Sequence, residues 1–392
     1  MTQVFDRVLA AARQLGASDV HLKVGLPPIF RVKGELRGVK DVPALSSEAL
    51  EGFARAIMNP LQSERFDNTH EADLAYGTPD GVRYRVNVFR QRGLMGLVLR
   101  VIPSEVPAFE SLRLPEALLR MAEQPRGLVL ATGVTGSGKS TTLAVMVDYI
   151  NRRRAGHIVT VEDPIEYVFR DRRSVVNQRE LGLDTMSFSA ALRAALRQDP
   201  DVILVGEMRD LETIETAMTA AETGHLVLST LHTLDAMETV NRIVSVFPTH
   251  QQEQVRVQLA SVLVGVISQR LIPTADGKSR VPACEVLVNT PRIRELMLDQ
   301  QRSREIRDAI ASGRHPYGMF TFDQSLTELV KEGLITYEQA LQNATNADEF
   351  VLHFQGISEG SKDSLWESGE YPSARTQSET AGLELDLTSR RR

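Results

Sequence analysis

Apolar residues in the first hundred positions follow two different periods, which together predict a mixture of helices and strands. Near the start they recur at helical spacing, at Val4, Phe5, Val8, Leu9 and Ala12. Alternating or continuous apolar runs then predict strands at 19–24, 28–32, 82–89 and 94–102. We therefore expect a small α+β domain over residues 1–102.

The pattern changes after Ile102. The segment 103–111 contains Pro103 and Pro107, which break regular structure and predict an interdomain linker. Beyond it, apolar strand candidates alternate with helical segments; they lie at Gly127–Thr132, 158–161, Val202–Val205 and Leu226–Leu231. This alternation is typical of an α/β domain whose largely parallel sheet is connected by crossover helices. We expect that domain to span 112–355.

The last third of the chain loses the strand pattern. Apolar faces at helical spacing over 235–246 and 254–266 predict helices, and we expect helices to dominate from Gln251 to about Leu341. The final residues, 356–392, are rich in Ser, Glu and Thr and nearly devoid of apolar clusters. That composition predicts a disordered tail.

Bulk properties exclude several classes of protein. The 392 residues carry a formal net charge of −6, so no global basic field attracts nucleic acid or anionic lipid. One cysteine, Cys284, cannot form a disulfide within the chain or a cysteine-clustered zinc site. No secretory leader and no continuous apolar stretch long enough for a membrane span is present, which favours a cytoplasmic setting.

A complete phosphate-binding loop occupies residues 133–140, where a predicted strand gives way to a predicted helix. Its pattern is G-x-x-x-x-G-K-S, and the predicted nucleotide-binding residues are Gly133, Val134, Thr135, Gly136, Ser137, Gly138, Lys139, Ser140 and Thr141. Backbone N–H groups of such a loop and the helix N-terminus bind phosphate oxygens. We expect Lys139 to neutralise phosphate charge and Ser140 to hold Mg²⁺, with ATP as the nucleotide.

Two further strands end in carboxylates, which hydrolysis requires for the attacking water and the metal. Glu162, Asp163 and Glu166 follow the strand at 158–161, and Glu207 follows Val202–Val205. Carboxyl ends of parallel strands form the ligand-binding edge of α/β sheets, so these acids should lie near the loop. Glu166 is the candidate catalytic base, although spacing leaves the choice among the three acids open. Glu207 suits coordination of Mg²⁺ through water.

Histidines and arginines supply the remaining candidates. His225 and His232 flank the strand Leu226–Leu231, and either could sense the γ-phosphate or bridge to a neighbouring subunit. Arginines lie on the strand segments of the first domain, at positions 83, 85, 90 and 100. Alternation places Arg83 and Arg85 on one face of their strand, opposite Tyr84. In a ring of identical subunits, such arginines could reach a neighbour's γ-phosphate.

Through these and neighbouring residues, the sequence resembles the type II/IV secretion ATPase superfamily and, within it, the twitching-motility ATPases (PilT family) that retract type IV pili. The resembling segments are Gly16-Ala-Ser-Asp-Val-His-Leu22, 133–140, Thr160-Val-Glu-Asp-Pro-Ile-Glu166, Leu192-Arg-Ala-Ala-Leu-Arg-Gln-Asp-Pro200, Val205-Gly-Glu-Met-Arg-Asp-Leu211, Ala220-Ala-Glu-Thr-Gly-His-Leu226 and Thr321-Phe-Asp-Gln324. They cover roughly residues 5 to 350.

The resemblance implies an α/β protein with a PAS-like N-terminal domain, a RecA-like P-loop domain, a helical C-terminal part and the nucleotide between the two domains. It implies an ATPase that uses ATP and Mg²⁺ as a homohexameric motor for pilus retraction. By position, Glu166 becomes the catalytic acid/base and Glu207 closes the Walker B strand. His225 and His232 belong to the family's histidine box, and Arg85 and Arg100 resemble its sensing arginines.

The same resemblance implies partners and leaves a second assignment open. It implies recruitment to an inner-membrane pilus platform protein at the cytoplasmic face of the membrane, with a paralogous ATPase as a further partner. The segment Arg292-Ile-Arg-Glu-Leu-Met-Leu298 departs from the family's Ala-Ile-Arg-Asn-Leu-Ile-Arg motif, which keeps an accessory retraction paralogue open.

Two further hypotheses come from other functional classes. A RecA-like nucleic-acid motor is disfavoured by the acidic net charge. A non-hydrolysing partner that binds ATP only to hold a ring together is disfavoured by the acids Glu166 and Glu207. The four-cysteine zinc site of the pilus assembly ATPases is excluded by the single cysteine.

Overall fold

The computed structural model describes residues 2–39, 42–103 and 105–354. The tail predicted for 356–392 lies outside the described residues. The described chain forms two separate β-sheets, of six and seven strands, each with helices packed against it.

The first sheet is antiparallel throughout, with strand order β3-β2-β1-β6-β5-β4. Its strands are β1 (Ala17–Lys23), β2 (Ile29–Val32), β3 (Glu35–Gly38), β4 (Glu71–Gly77), β5 (Arg83–Gln91) and β6 (Leu94–Ile102). The accompanying helices are α1 (Thr2–Gln14), α2 (Ser47–Ile57) and α3 (Pro60–Thr69). The four predicted strands of this region are confirmed, and β3, β4, α2 and α3 were not predicted.

One face of the first sheet builds the first core. Phe5 and Leu9 of α1 and Phe53 of α2 are buried against it, as the helical spacing of the N-terminus predicted. Tyr84 is buried while Arg85 is exposed, so the predicted alternation along β5 is confirmed. Arg83 and Arg85 therefore lie on the opposite face, away from the core.

The second sheet has the order β13-β12-β7-β11-β10-β8-β9, and all neighbours are parallel except β12 and β13. Its strands are β7 (Gly127–Thr132), β8 (His157–Glu162), β9 (Val175–Glu180), β10 (Val202–Val205), β11 (Leu226–Leu231), β12 (Leu263–Pro273) and β13 (Arg280–Val288). Every residue of β7, β10 and β11 is buried, as expected for strands covered on both faces. The four predicted strands and the largely parallel sheet are confirmed.

Helices cover both faces of this sheet and continue to the end of the described chain. They are α4 (Ala117–Ala122), α5 (Lys139–Arg153), α6 (Phe188–Ala195), α7 (Leu211–Glu222), α8 (Ala236–Ser245), α9 (Gln252–Val262), α10 (Pro291–Leu298), α11 (Glu305–Ser312), α12 (Arg314–Tyr317), α13 (Phe322–Lys331), α14 (Tyr337–Asn343) and α15 (Ala347–Phe354). Short 3₁₀ turns occupy Phe109–Leu112, Thr249–Gln251 and Gln300–Arg302. The C-terminal helices α13 to α15 pack on Ile272 and Val281 of β12 and β13.

The prediction that helices dominate from Gln251 to about Leu341 is wrong for the region of β12 and β13. The helix predicted over 254–266 ends at Val262, and Leu263 begins a strand that pairs with β7. Most residues of both strands are buried, on both faces, so their apolar residues do not alternate strictly with polar ones. Periodicity alone does not separate such a strand from a buried helix.

Candidate active site

The phosphate-binding loop connects β7 to α5, and its glycines adopt backbone conformations that other residues rarely take. Gly133, Gly136 and Gly138 have φ of 138°, 81° and 95°. A Cβ at Gly133 would lie 2.4 Å from the Gln269 backbone oxygen and 2.6 Å from Ser137 Oγ. The loop therefore needs glycine for its conformation, and at Gly133 also for space. It presents the N-terminus of α5 at the carboxyl edge of the sheet, where anions bind favourably.

Lys139, the first residue of α5, is folded back onto the loop. Its Nζ donates hydrogen bonds to the backbone oxygens of Gly133 at 2.8 Å and Val134 at 2.9 Å. Burial lowers the pKa of Lys139, and the carboxylates of Glu166 and Glu207 act in the opposite direction. Both acids are therefore close enough to the ammonium group to influence it.

A cavity of about 410 Å³ brings the predicted chemistry together. Its lining combines loop residues, acids that follow β8 and β10, a histidine that follows β11, and an arginine of β5. These are Thr135, Gly136, Lys139, Ser140, Glu162, Asp163, Glu166, Glu207, His232 and Arg85. The elements meet here because carboxyl ends of parallel strands lie at one edge of a sheet.

A second cavity, of about 480 Å³, adjoins the other side of the loop and of α5. The predicted residues Ser137, Gly138 and Thr141 line it. Thr141 Oγ1 also lies 3.1 Å from Tyr167 Oη, whose ring lines the first cavity. The loop and the first turn of α5 therefore separate two adjoining spaces.

Glu162, the last residue of β8, has different surroundings from Asp163 and Glu166, although sequence spacing did not separate the three acids. Glu162 is buried and accepts hydrogen bonds from Thr160 Oγ1 at 2.7 Å and Gln178 Nε2 at 3.1 Å. Burial raises the pKa of Glu162. Glu166 and Asp163 are exposed side chains on the cavity wall. Glu166 and Asp163 are thus the carboxylates exposed for chemistry, whereas Glu162 is held by Thr160 and Gln178.

Glu207 joins two side chains on the same wall. Its carboxylate lies 2.7 Å from Arg209 Nε and 3.5 Å from His232 Nε2. His225 lies at the amino end of β11, roughly 20 Å from His232 by strand geometry, where its Nδ1 contacts the Ala220 backbone oxygen at 2.9 Å. The structure therefore brings His232 to the site and leaves His225 at the opposite edge of the sheet.

The two predicted arginines are neighbours with different partners. Arg85 and Arg100 are paired across β5 and β6. Arg100 Nε donates to Asp19 Oδ1 at 2.8 Å and lines a smaller adjacent cavity of about 230 Å³, which Arg85 shares. Arg85 faces the loop cavity of its own chain, whereas the sequence argument considered a neighbour's nucleotide. Arg83, on the same strand, lies 3.6 Å from Glu180 of the second sheet.

Sequence reasoning missed several residues of the site. Gln269 of β12 is buried and accepts a hydrogen bond from Thr142 Oγ1 at 3.0 Å. Gln269, Leu271 and Arg280 line the second cavity. No sequence signal pointed to these three because β12 and β13 were expected to be helical. Arg209 carried a detectable signal, since it follows Glu207 by two residues within a segment already recognised.

Comparison with known proteins decides the family. The profile of the family described as Type II/IV secretion system protein matches residues 1–361. The type IV pilus retractation ATPase PilT of Pseudomonas aeruginosa is 47% identical over 343 residues, which cover 88% of this chain and 98% of that protein. This chain belongs to the type II/IV secretion system protein family. The family inferred from the motifs is confirmed.

Two further relatives of this family bear on the fold and the activity. A crystal structure of the pilus retraction motor PilT with bound ADP matches with a TM-score of 0.81 at 46% identity, over 88% of this chain and 98% of that one. The type IV pilus ATPase PilU of Pseudomonas aeruginosa is 41% identical over 98% of this chain and 97% of its own length. The predicted α/β fold and the assignment as a nucleotide-binding ATPase are confirmed.

Among the helices of the described residues, none combines the length and the apolarity needed to cross a lipid bilayer.

Proposed function

We propose that this chain is the ATP-hydrolysing motor of type IV pilus retraction. The observation that carries the proposal is the cavity in which the phosphate-binding loop meets Glu166, Glu207 and Arg85. The likeness to PilT over 98% of that protein's length supports retraction as the work performed. We infer that the motor is a homohexamer recruited by a pilus platform protein at the cytoplasmic face of the inner membrane.

The lining residues divide the work of phosphoryl transfer among them. The loop N–H groups and the N-terminus of α5 bind the β- and γ-phosphates, and Lys139 leaves its backbone partners to neutralise them. Glu166 orients and deprotonates the attacking water. Arg85 stabilises the charge that develops on the γ-phosphoryl group. His232, 3.5 Å from Glu207, is placed to report the state of that carboxylate to β11.

The site also fits Mg²⁺. The Ser140 hydroxyl at the start of α5 and the Glu207 carboxylate, 16% exposed, line the same cavity. Mg²⁺ in nucleotide sites takes few protein oxygens and completes its shell with phosphates and water, so two oxygen ligands suffice. The ion would neutralise phosphate charge during hydrolysis. Arg209 holds the Glu207 carboxylate in place at 2.7 Å.

Domain organisation follows the two sheets. We propose one unit over 1–102 and a second over 112–355, joined by the segment 103–111. The contact between Arg83 and Glu180 links the two sheets beside the nucleotide cavity. Movement of the first unit against the second would therefore carry Arg85 toward or away from the loop.

An accessory retraction ATPase is the second candidate. The match to PilU extends over 98% of this chain, whereas the match to PilT covers 88%. The extent of the match thus favours the accessory paralogue, while the higher identity favours the main motor.

Live imaging of labelled pili distinguishes the two candidates. Cells that carry Lys139→Ala in place of the native chain should display abundant pili that extend and fail to retract. Lys23→Ala removes an exposed lysine from β1 and serves as the matched control, with normal retraction expected. Unchanged dynamics with Lys139→Ala would assign the chain to an accessory role, and loss of pili would overturn retraction altogether.

A further inference from the structure

A third cavity, remote in sequence from the phosphate-binding loop, lies between α8, α9 and the segment that follows α10. Its volume is about 530 Å³. The lining is polar and cationic: Met237, Asn241, Val244, Ser245, Gln252, Arg256, Gln300, Gln301, Ser303 and Arg304. Among the described residues, two arginines and no carboxylate line this cavity, which gives it a positive character.

Arg256 is the unusual member of the lining. It is only 8% exposed, and burial lowers the pKa of its guanidinium. Its two hydrogen bonds are long and go to neutral acceptors, the Met297 backbone oxygen at 3.3 Å and Asn241 Oδ1 at 3.4 Å. A guanidinium has five N–H donors, so three lack an acceptor within the described part of the chain. Buried charges normally have a counter-charge, and this one has none there.

The acids nearby are already engaged by other arginines. Glu305 lies 2.8 Å from Arg302 and 3.6 Å from Arg292, and Glu295 lies 2.6 Å from Arg302. Arg304, exposed on the rim of the cavity, forms no ion pair with any residue that the structure describes. Within the residues that the structure describes, carboxylates therefore pair with the surface arginines here, and the two arginines of the cavity have none.

We propose that this cavity binds a phosphate-bearing small molecule through Arg256 and Arg304. Guanidinium forks match phosphate oxygens in bidentate geometry. The side-chain amides of Gln300 and Gln301 in the lining supply additional donors, which suits a group with three or more acceptor oxygens. The volume is typical of small-molecule sites and exceeds the size of one phosphate, so the ligand carries a further polar moiety.

The position of the site implies that ligand binding affects how the surrounding helices are joined. Arg256 belongs to α9 and holds the last turn of α10 through Met297, while Asn241 belongs to α8. A ligand that recruits the free donors of Arg256 links these three helices. The segment 292–298, which departs from the retraction family's motif, forms most of α10. The site is independent of the proposed ATPase chemistry.

Isothermal titration calorimetry of the full-length chain with pyrophosphate tests the proposal. ADP and Mg²⁺ are present at saturation so that the loop cavity is filled. We expect a binding event that persists under these conditions and in Lys139→Ala. Arg304→Gln should weaken it about tenfold or more, which is the loss of a charge-assisted hydrogen bond. Arg256→Gln should abolish it.

Matched controls separate the site from general electrostatics and from misfolding. Arg242→Gln removes an exposed arginine of α8 outside the lining and should leave pyrophosphate affinity unchanged. Because Arg304 is exposed, its variant tests the site even where Arg256→Gln fails to fold. The proposal is overturned by absence of binding in the ADP-saturated protein, or by equal affinity in Arg304→Gln and the native chain. Binding of hexaglutamate in preference to pyrophosphate would also overturn it, in favour of an acidic peptide.

Discussion

Asp19 and Arg100 form a hydrogen-bonded ion pair across β1 and β6, with 2.8 Å between Oδ1 and Nε. Asp19 is 4% exposed and also lies 3.8 Å from Arg31 on the adjacent strand β2. Arg85 pairs with Arg100 on the other side. The buried carboxylate of Asp19 thus pairs with Arg100, one of the arginines on these neighbouring strands. No ion pair of the described residues involves Arg85, which is available to the nucleotide cavity.

Neutralising Asp19 should destabilise the fold. Asp19→Asn removes the counter-charge of Arg100 and Arg31, and we expect a loss of about 1 kcal/mol, because Arg100 is itself largely exposed. The control Asp73→Asn changes an exposed acid on β4, an edge strand of the same sheet. Urea denaturation midpoints measure both. Equal stability of Asp19→Asn and the native chain would show that the ion pair contributes nothing.

The same pair predicts a pH dependence. Burial alone would raise the pKa of Asp19, but hydrogen bonds from Arg100 and Ser18 hold it below its usual value of 3.8. A lowered pKa means that the ionised form stabilises the fold above the unfolded value and that this contribution is lost as pH falls through the folded value. The stability difference between the native chain and Asp19→Asn should therefore be present at pH 6 and disappear in strong acid.

Arg85 should act on the nucleotide of its own chain. We expect Arg85→Gln to lower kcat by about 100-fold, because it removes a charge from the transition state. When Arg85→Gln subunits are mixed with Lys139→Ala subunits, we expect no recovery of ATP hydrolysis, because neither chain holds a complete site. Restored hydrolysis in the mixture would place Arg85 at a neighbour's nucleotide. The control is a mixture of native and Lys139→Ala chains. If its activity is proportional to the fraction of native chains, inactive subunits do not block the ring.

Two acids of one loop should respond differently to neutralisation. Glu166→Gln should bind ADP normally and lower kcat about 100-fold or more, as expected for loss of a general base. Glu162→Gln should retain turnover within about tenfold, because Glu162 is committed to Thr160 and Gln178. Steady-state hydrolysis and ADP titration measure both variants. The reverse order of effects would move the base to Glu162.

The effect of Mg²⁺ on nucleotide binding should depend on Glu207. In Glu207→Gln, we expect the affinity for ATP without Mg²⁺ to be unchanged and the gain in affinity on adding Mg²⁺ to be reduced, because the proposed role of this carboxylate is to hold the metal through water. Fluorescent-nucleotide titration with and without EDTA makes the comparison. Glu212→Gln, an exposed acid of α7 beyond the cavity, provides the control. An equal Mg²⁺ effect in both variants would remove Glu207 from the metal site.

Glu285 should make the fold less stable as pH rises from mildly acidic to neutral. Burial raises the pKa of this β13 carboxylate to about 7, with Asp235 adding to the rise while the Ala236 N–H, Arg307 and Arg270 oppose it. The folded state then holds a proton that the unfolded chain releases, so stability falls as pH rises from about 4.5 to 7. Glu285→Gln should gain about 2 kcal/mol relative to the native chain between pH 5 and pH 8.

Thermal or urea unfolding at the two pH values measures this gain. Glu253→Gln, an exposed change on α9, is the control, and its difference from the native chain should be the same at both pH values. A constant difference for Glu285→Gln as well would mean that the carboxyl group ionises normally in the folded protein.

Local signals explain which parts of the fold were predictable. β7, β10 and β11 match their predicted bounds because short apolar runs ended by glycine or charged residues are typical of buried parallel strands. β12 and β13 were missed because long buried runs have the same composition in a strand and in a helix. β3 has four exposed residues, so it carried no apolar pattern at all.

For the site, the sequence by itself determined the loop, the acids that follow β8 and β10, and His232, because glycine spacing and strand order are local properties of the chain. Only the tertiary structure decided that Glu162 is buried and hydrogen-bonded while Glu166 is exposed, that His225 lies at the opposite edge of the sheet, and that Arg85 faces its own chain's cavity. It also placed Gln269 and Arg256, whose surroundings come from segments distant in sequence. Burial and partner choice depend on contacts between such segments, and the local pattern of a sequence does not encode which segments meet.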